Sequence, residues 1–209
     1  MTRVKICGVS DPAHALAAAD AGADFIGMLF APSPRRVTLE GAKAIAQALR
    51  SRDGPRPKLV GVFVNAAPQE VNDTAAAAGL DLVQLSGDED EDYLEKMQRP
   101  VIKAVHVSPR EPASVASLGL RRRMAFLRGA AAIPLLDTKV QGQYGGTGRP
   151  FDWQIARELA QDFDFLLAGG LTPENVAKAV GQVQPWGVDV SSGVETGGAK
   201  DPEKVRTFI

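Results

Sequence analysis

A single cysteine among 209 residues leaves no partner for an internal disulfide, which excludes the disulfide-stapled secreted module. Only two histidines are present, too few here for a strong zinc motif, so no metal site is expected. Lys plus Arg number 24 and Asp plus Glu 25, a net charge of −1. No basic field exists to grip nucleic acid. No apolar run reaches the roughly 18 residues of a membrane-spanning helix. The N-terminal MTRVKICGVSDP lacks the apolar core of a signal peptide. A soluble cytoplasmic chain, with neither membrane nor nucleic acid as partner, is the expectation. Linkers, low-complexity tracts and splitting charge blocks are also missing, so residues 1–209 should form one domain. The one acidic run, Asp88 to Asp92, reads as favourable charge at a helix start rather than as a metal site.

What is present is close to the globular average, with 44% hydrophobic and 23% charged residues. Short apolar runs alternate with amphipathic stretches along the whole chain. Strands are predicted at 4–7, 25–30, 59–64, 82–85, 101–105, 133–137, 165–168 and 187–190. Their Val, Ile, Leu and Phe content suits strands buried on both faces. Between them lie helix signals at 39–50, 68–78, 88–98 and 152–161. Asp11-Pro12, Thr172-Pro173 and Asp201-Pro202 each read as an N-cap followed by Pro at the first helical position. A helix is expected near 112–118, with 121–132 either extending it or forming a loop. Eight strand–helix units of about 26 residues match an α/β fold of the (β/α)8 TIM-barrel type. An open doubly wound sheet is the competing architecture.

In a parallel barrel, ligands bind at the C-terminal ends of the strands. Cys7 and Asp137 end the first and sixth strands, Asp189 lies near the end of the eighth, and Arg35 and Arg36 follow the second. The segments after strands seven and eight, AGGLTPEN and VSSGVETGG, resemble the paired loops that hold phosphate on backbone N–H groups. Gly169 and Gly170 permit close approach, and Ser191, Ser192 and Gly193 add donors. The glycine cluster at 144–148 is placed to close over the site. Strand order sets Cys7 and Asp137 on opposite sides of that phosphate site. A thiol and a carboxyl group facing a sugar phosphate suit paired proton removal and donation. Arg36 can hold a carboxylate at the far end. Each residue also has a plain reading. A lone strand cysteine is commonly a buried hydrophobe, an Asp at a strand end commonly caps a loop, and paired arginines are commonly solvated. His14 and His106 read as structural.

VKICG at 4–8, SPRRV at 33–37, GVFVN at 61–65, VQLSG at 83–87, LLDTKVQGQYGGTGRPFDW at 135–153, AGGLTPENV at 168–176 and VDVSSGVET at 188–196 together resemble the phosphoribosylanthranilate isomerase family of tryptophan biosynthesis. The resemblance spans nearly the whole chain. It implies an Amadori rearrangement of a small phosphosugar-anthranilate substrate without metal or organic cofactor. It implies Asp137 as general acid and Cys7 as general base. Arg36 is expected at the anthranilate carboxylate and Asp189 near the anthranilate nitrogen. Phosphate is expected on Gly146, Gly169, Gly170, Ser191, Ser192 and Gly193. A free thiol titrates at about 8.5, so a thiolate base calls for nearby positive charge. Lys5, one layer below Cys7 on the same strand face, is the candidate. Asp137 must carry a proton to act as an acid.

Two features depart from the family pattern. Ser86 stands where the family often has His, and Gln141-Gly142-Gln143 precede Tyr144 in the sixth loop. The chain also ends soon after Asp201, so a short, weakly packed last helix is expected. Two other classes remain open from the residues alone. One is an epimerase or lyase on a sugar phosphate, which leaves Cys7, Arg36 and Asp137 unexplained as a set. The other is a non-catalytic phosphosugar-binding barrel. The oligomeric state, monomer or homodimer, is open as well.

Overall fold

The computed structural model describes residues 1–107, 113–138 and 153–209, with side chains placed in all of these except 113–117 and 138. Eight strands, β1 (Arg3–Cys7), β2 (Phe25–Leu29), β3 (Lys58–Phe63), β4 (Leu82–Leu85), β5 (Val101–Val107), β6 (Ile133–Thr138), β7 (Leu166–Leu167) and β8 (Gly187–Val190), pair in order into a closed barrel. Every pair is parallel, and β1 closes the ring on β8 with Lys5 opposite Asp189. The helices are α1 (Pro12–Ala21), α2 (Leu39–Arg50), α3 (Pro68–Ala78), α4 (Glu91–Leu94), α5 (Ala113–Gly129), α6 (Trp153–Ala160), α7 (Val176–Val183) and α8 (Pro202–Phe208). The open doubly wound sheet is thereby excluded. After β8 a 3-10 turn at Ser192–Val194 leads into a small antiparallel ribbon, β9 (Glu195–Thr196) and β10 (Ala199–Lys200).

Strand alternation sorts the side chains into two cores. The larger lies between strands and helices and includes Ile6, Ile26, Met28, Leu85 and Leu136. The smaller fills the barrel's interior with Phe25, Val60, Leu82, Ile102, Leu135 and Leu166, and Trp186 packs against it. Because Phe25 and Leu135 face inward, so do Gly27 and Asp137 two residues on. Lys5 pairs with Phe25, and Cys7 with Gly27, so Lys5 and Cys7 share that interior face.

The helix starts follow local chemistry. Asp11 caps α1 by accepting from the His14 N–H at 3.0 Å, and Asp201 caps α8 by accepting from Glu203 N–H at 3.0 Å. Gly22 and Gly79 end α1 and α3 in the left-handed conformation. Residues 121–129 extend α5 rather than forming a loop.

Three expectations are corrected. The stretch 88–98 gives only the single turn α4. Asn72 of α3 intercepts the backbone beyond it, donating to Lys96 C=O at 2.9 Å and accepting from Gln98 N–H at 3.0 Å. Thr172-Pro173 does not open α7, because Asn175 closes a turn there by accepting from Thr172 N–H at 2.8 Å and donating to Gly170 C=O at 2.9 Å. The helix therefore starts at Val176. The short last helix is well seated: Val205 and Phe208 are buried, and α8 packs on α1 and the 3-10 turn.

The acidic run does start a helix, with Asp90 accepting from Tyr93 N–H at 3.0 Å and Glu91 and Asp92 in the first turn of α4, and one of its members has a further use. Glu89 is buried and pairs with the equally buried Lys103 at 2.7 Å, while also accepting from Asn65 N–H and Gly87 N–H. Lys103 donates further to Gly87 C=O at 2.7 Å. The pair ties the ends of β3, β4 and β5 together with its hydrogen-bonding capacity filled. Among the described residues no cluster of His, Cys, Asp and Glu is suited to a metal ion. None of the helices there is long and apolar enough to cross a membrane.

Candidate active site

Cys7 closes β1 at the C-terminal mouth and is only 6% exposed. Beneath it Lys5, with no exposed surface, donates from Nζ to Oδ1 of Asp189 at 2.8 Å. Burial works against the ammonium, but the Asp189 carboxylate and Cys7 outweigh it and hold Lys5 above its ordinary range. Lys5 is therefore a fixed cation. Gly27 makes room for this stack. A Cβ there would lie 2.9 Å from Sγ of Cys7 and 3.0 Å from Nζ of Lys5. The sulfur and the ammonium thus occupy the space that any larger residue on β2 would take.

The thiol itself is pushed up by burial. Lys5 pulls it down, Asp189 pushes it up, and Lys200 pulls it down again, with burial prevailing. The positive charge expected near Cys7 is present, yet it does not cancel desolvation in the ligand-free barrel.

Asp137 lies near the end of β6, buried and facing the same interior. Its register neighbour on β5 is His106. The fifth strand runs two residues further than the apolar pattern indicated, to Val107, which carries His106 into the mouth. Its ring Nε2 is 3.1 Å from the Ser86 carbonyl oxygen. Ser86 accepts from Gln84 Nε2 at 3.0 Å. The Oε1 of Gln84 is buried with no partner. Sequence reasoning missed Gln84 because a glutamine within LVQL reads as an exception in an apolar strand.

Gly169 and Gly170 both adopt positive φ, 91° and 70°, a turn that other residues resist. Gly193 is pressed onto the preceding loop, since a Cβ there would meet the Leu171 carbonyl oxygen at 1.9 Å. The loops after β7 and β8 thus touch through backbone. Among the described residues the N–H groups of Gly170, Ser192 and Gly193 have no protein acceptor. Gly146 and residues 141–144 lie outside the described residues.

The arginines divide. Arg36 is exposed at the rim, where its backbone pairs with Leu29 at the end of β2. Arg35 forks onto Glu195, with Nε to Oε1 at 2.7 Å and Nη2 to Oε2 at 2.9 Å. Glu195 also binds Lys200. Nothing in the spacing of GVETGGAK marked Glu195, because its partner Arg35 follows β2 on the other side of β1, and Lys200 is drawn in through Glu195 and the Ser191 carbonyl oxygen.

A closed parallel barrel with a thiol, a carboxyl group and a buried ion pair gathered at its C-terminal mouth has the architecture of a (β/α)8-barrel enzyme. Comparison with known proteins narrows this. The family model described as N-(5'phosphoribosyl)anthranilate (PRA) isomerase matches residues 4–209. The N-(5'-phosphoribosyl)anthranilate isomerase of Dehalococcoides mccartyi is 44% identical over 211 residues, covering 100% of this chain and 94% of that one. The crystal structure of phosphoribosyl anthranilate isomerase from Thermotoga maritima superposes with a TM-score of 0.85 at 37% identity, covering 100% of this chain and 97% of that one. Another solved isomerase, in complex with reduced 1-(o-carboxyphenylamino)-1-deoxyribulose 5-phosphate, gives 0.81 at 35%, covering 100% of this chain and 96% of that one. The chain belongs to the N-(5'-phosphoribosyl)anthranilate isomerase family and is an isomerase of tryptophan biosynthesis.

Proposed function

We propose that the mouth of this barrel converts N-(5'-phosphoribosyl)anthranilate into 1-(2-carboxyphenylamino)-1-deoxyribulose 5-phosphate by an Amadori rearrangement, with Asp137 as general acid and Cys7 as general base. One observation carries the reading. Cys7 and Asp137 face the same interior from β1 and β6, and the two strands between them, β7 and β8, end in loops whose Gly170, Ser192 and Gly193 N–H groups have no acceptor among the described residues. A phosphate held on Gly169, Gly170, Ser191, Ser192 and Gly193 lays the sugar between acid and base.

Asp137 gives its proton to the furanose ring oxygen as the C1′–O bond breaks. The anthranilate nitrogen lone pair forms the C=N bond of a protonated Schiff base. The Cys7 thiolate then removes the C2′ proton, and the released electron pair moves toward nitrogen to give an enolamine. Tautomerisation yields the ketose. C1′ is reduced and C2′ oxidised within one molecule, so no external redox partner enters. Arg36, an exposed guanidinium at the rim, takes the anthranilate carboxylate. Asp189, fixed by Lys5, sits toward the anthranilate nitrogen. Groups that move protons in the transition state each contribute about 10²–10⁴ in rate. Cys7→Ala and Asp137→Asn should therefore each lower kcat at least about 10²-fold while the reduced product analogue still binds. Arg36→Met should chiefly raise KM. Full turnover in either the Cys7 or the Asp137 variant contradicts the assignment, and growth rescue of a tryptophan auxotroph provides the cellular readout.

A further inference from the structure

Lys200 has no place in the reaction as described, yet it is one of the few buried lysines, with its side chain 3% exposed. It lies on β10, in the ribbon that follows the 3-10 turn, and folds back over the mouth. Its Nζ donates to the Ser191 carbonyl oxygen at 3.0 Å and to Glu195. Glu195 is held in turn by the two-pronged Arg35 contact. The cluster closes on the residue after Cys7. A Cβ on Gly8, whose φ is 76°, would lie 2.8 Å from Cδ of Arg35, 3.1 Å from Oγ of Ser191 and 3.4 Å from Nζ of Lys200. The absence of a side chain at position 8 leaves room for Arg35, Ser191 and this ammonium against the residue that follows the cysteine.

The charges around Cys7 can be counted. Lys5 faces it from β1 and Asp189 from β8, and Arg35, Glu195 and Lys200 close in from the loops after β2 and β8. Asp137 stands across the barrel, separated by β7 and β8. Three cations and two anions leave one positive charge uncompensated next to the sulfur. Lys5 is matched by Asp189, while Arg35 and Lys200 share the single carboxylate of Glu195, so the excess is spread over those two cations.

We propose that Lys200, held over the Cys7–Gly8 turn by a Glu195 carboxylate that it shares with Arg35, is a positioning residue whose only partly matched charge stabilises the Cys7 thiolate. The proposal rests on Cys7 serving as the base. Burial of a thiolate is costly, and a second fixed cation offsets part of that cost where Lys5 is already committed to Asp189. Burial holds Lys200 below the ordinary lysine range, with Glu195 and then Cys7 working against it, and Lys200 in turn favours the charged form of Cys7.

Cys7 is the only cysteine, so thiolate absorbance in the ultraviolet reads its titration directly in the intact protein. Lys200→Met leaves Glu195 paired with Arg35 and should move the thiolate midpoint upward by about one pH unit, the size expected for a lost neighbouring charge. The acidic limb of kcat/KM should move with it. Lys200→Arg, which keeps the charge, should restore both. If the methionine variant folds poorly, Lys200→Gln keeps donors for Ser191 and Glu195 without the charge and should show the same displacement. An unchanged thiolate midpoint in the uncharged variants overturns the proposal, whatever happens to turnover. The base reading fails separately, through full activity of Cys7→Ala.

Discussion

Gly27→Ala adds one methyl group where Sγ of Cys7 and Nζ of Lys5 already lie 2.9 and 3.0 Å away, with Cα of Cys7 at 3.1 Å. Carbon atoms pack comfortably at about 3.5–4.0 Å, so each contact is too short by about half an ångström or more. Neither neighbour yields cheaply. Lys5 is pinned to Asp189 at 2.8 Å, and the third contact is backbone. Overpacking of this kind costs about 1–3 kcal/mol. The relief available is a shift of the Cys7 side chain, and misplacing a reacting group by about 1 Å costs on the order of 10² in rate. Urea unfolding should therefore show a lower midpoint at unchanged slope, and kcat should fall about 10²-fold, close to the Cys7→Ala value. Gly181→Ala is the control. It lies inside α7, and nothing is within 4 Å of the added carbon, so it should gain about 0.5–1 kcal/mol from helix propensity alone and keep full activity. A Gly27→Ala enzyme with the parent's midpoint and turnover refutes the account of how the sulfur is seated.

Lys5→Met should strip the buried Asp189 of its partner and destabilise the fold by about 3–5 kcal/mol in urea titrations; a loss below about 1 kcal/mol shows that the pair contributes little. The Cys7 thiol is raised by burial in the folded chain, whereas in the unfolded chain it titrates at about 8.5. Above that pH the unfolded state sheds a proton that the folded state keeps, so stability should fall as pH rises. The fall should be missing in Cys7→Ser, and equal slopes in the two proteins refute it. Over the same range kcat/KM should rise as the thiolate appears.

Local chemistry was fully legible where one segment carries its own partners. Asp11-Pro12 and Asp201-Pro202 start helices because cap and N–H groups are a turn apart. Apolar runs such as LVGVFV mark strands because both faces are buried. The alternation of the two elements specifies a parallel sheet, and eight repeats favour a barrel, but only the strand pairing excludes the open doubly wound sheet. The same order puts Cys7, Asp137 and the glycine loops at one mouth. Thr172-Pro173 and residues 88–98 read wrongly because Asn175 and Asn72 take up backbone groups that local pattern assigns to helices. Asn72 does so from a neighbouring helix, out of reach of any window.

The amino-acid order alone therefore determined the alternating strands and helices, the parallel sheet they demand and the identities at the strands' C-terminal ends, while closure into a barrel was read from the strand pairing. Those depend on propensity and strand alternation, which act over a few residues. Only the tertiary structure decided how charge is distributed around the sulfur. Lys5 finds Asp189 at a separation of 184 positions and Arg35 finds Glu195 at 160. Such pairs form because barrel closure sets β1 between β8 and β2 and takes Lys5, Asp189 and Glu195 largely out of water, and burial makes each of them pair or pay.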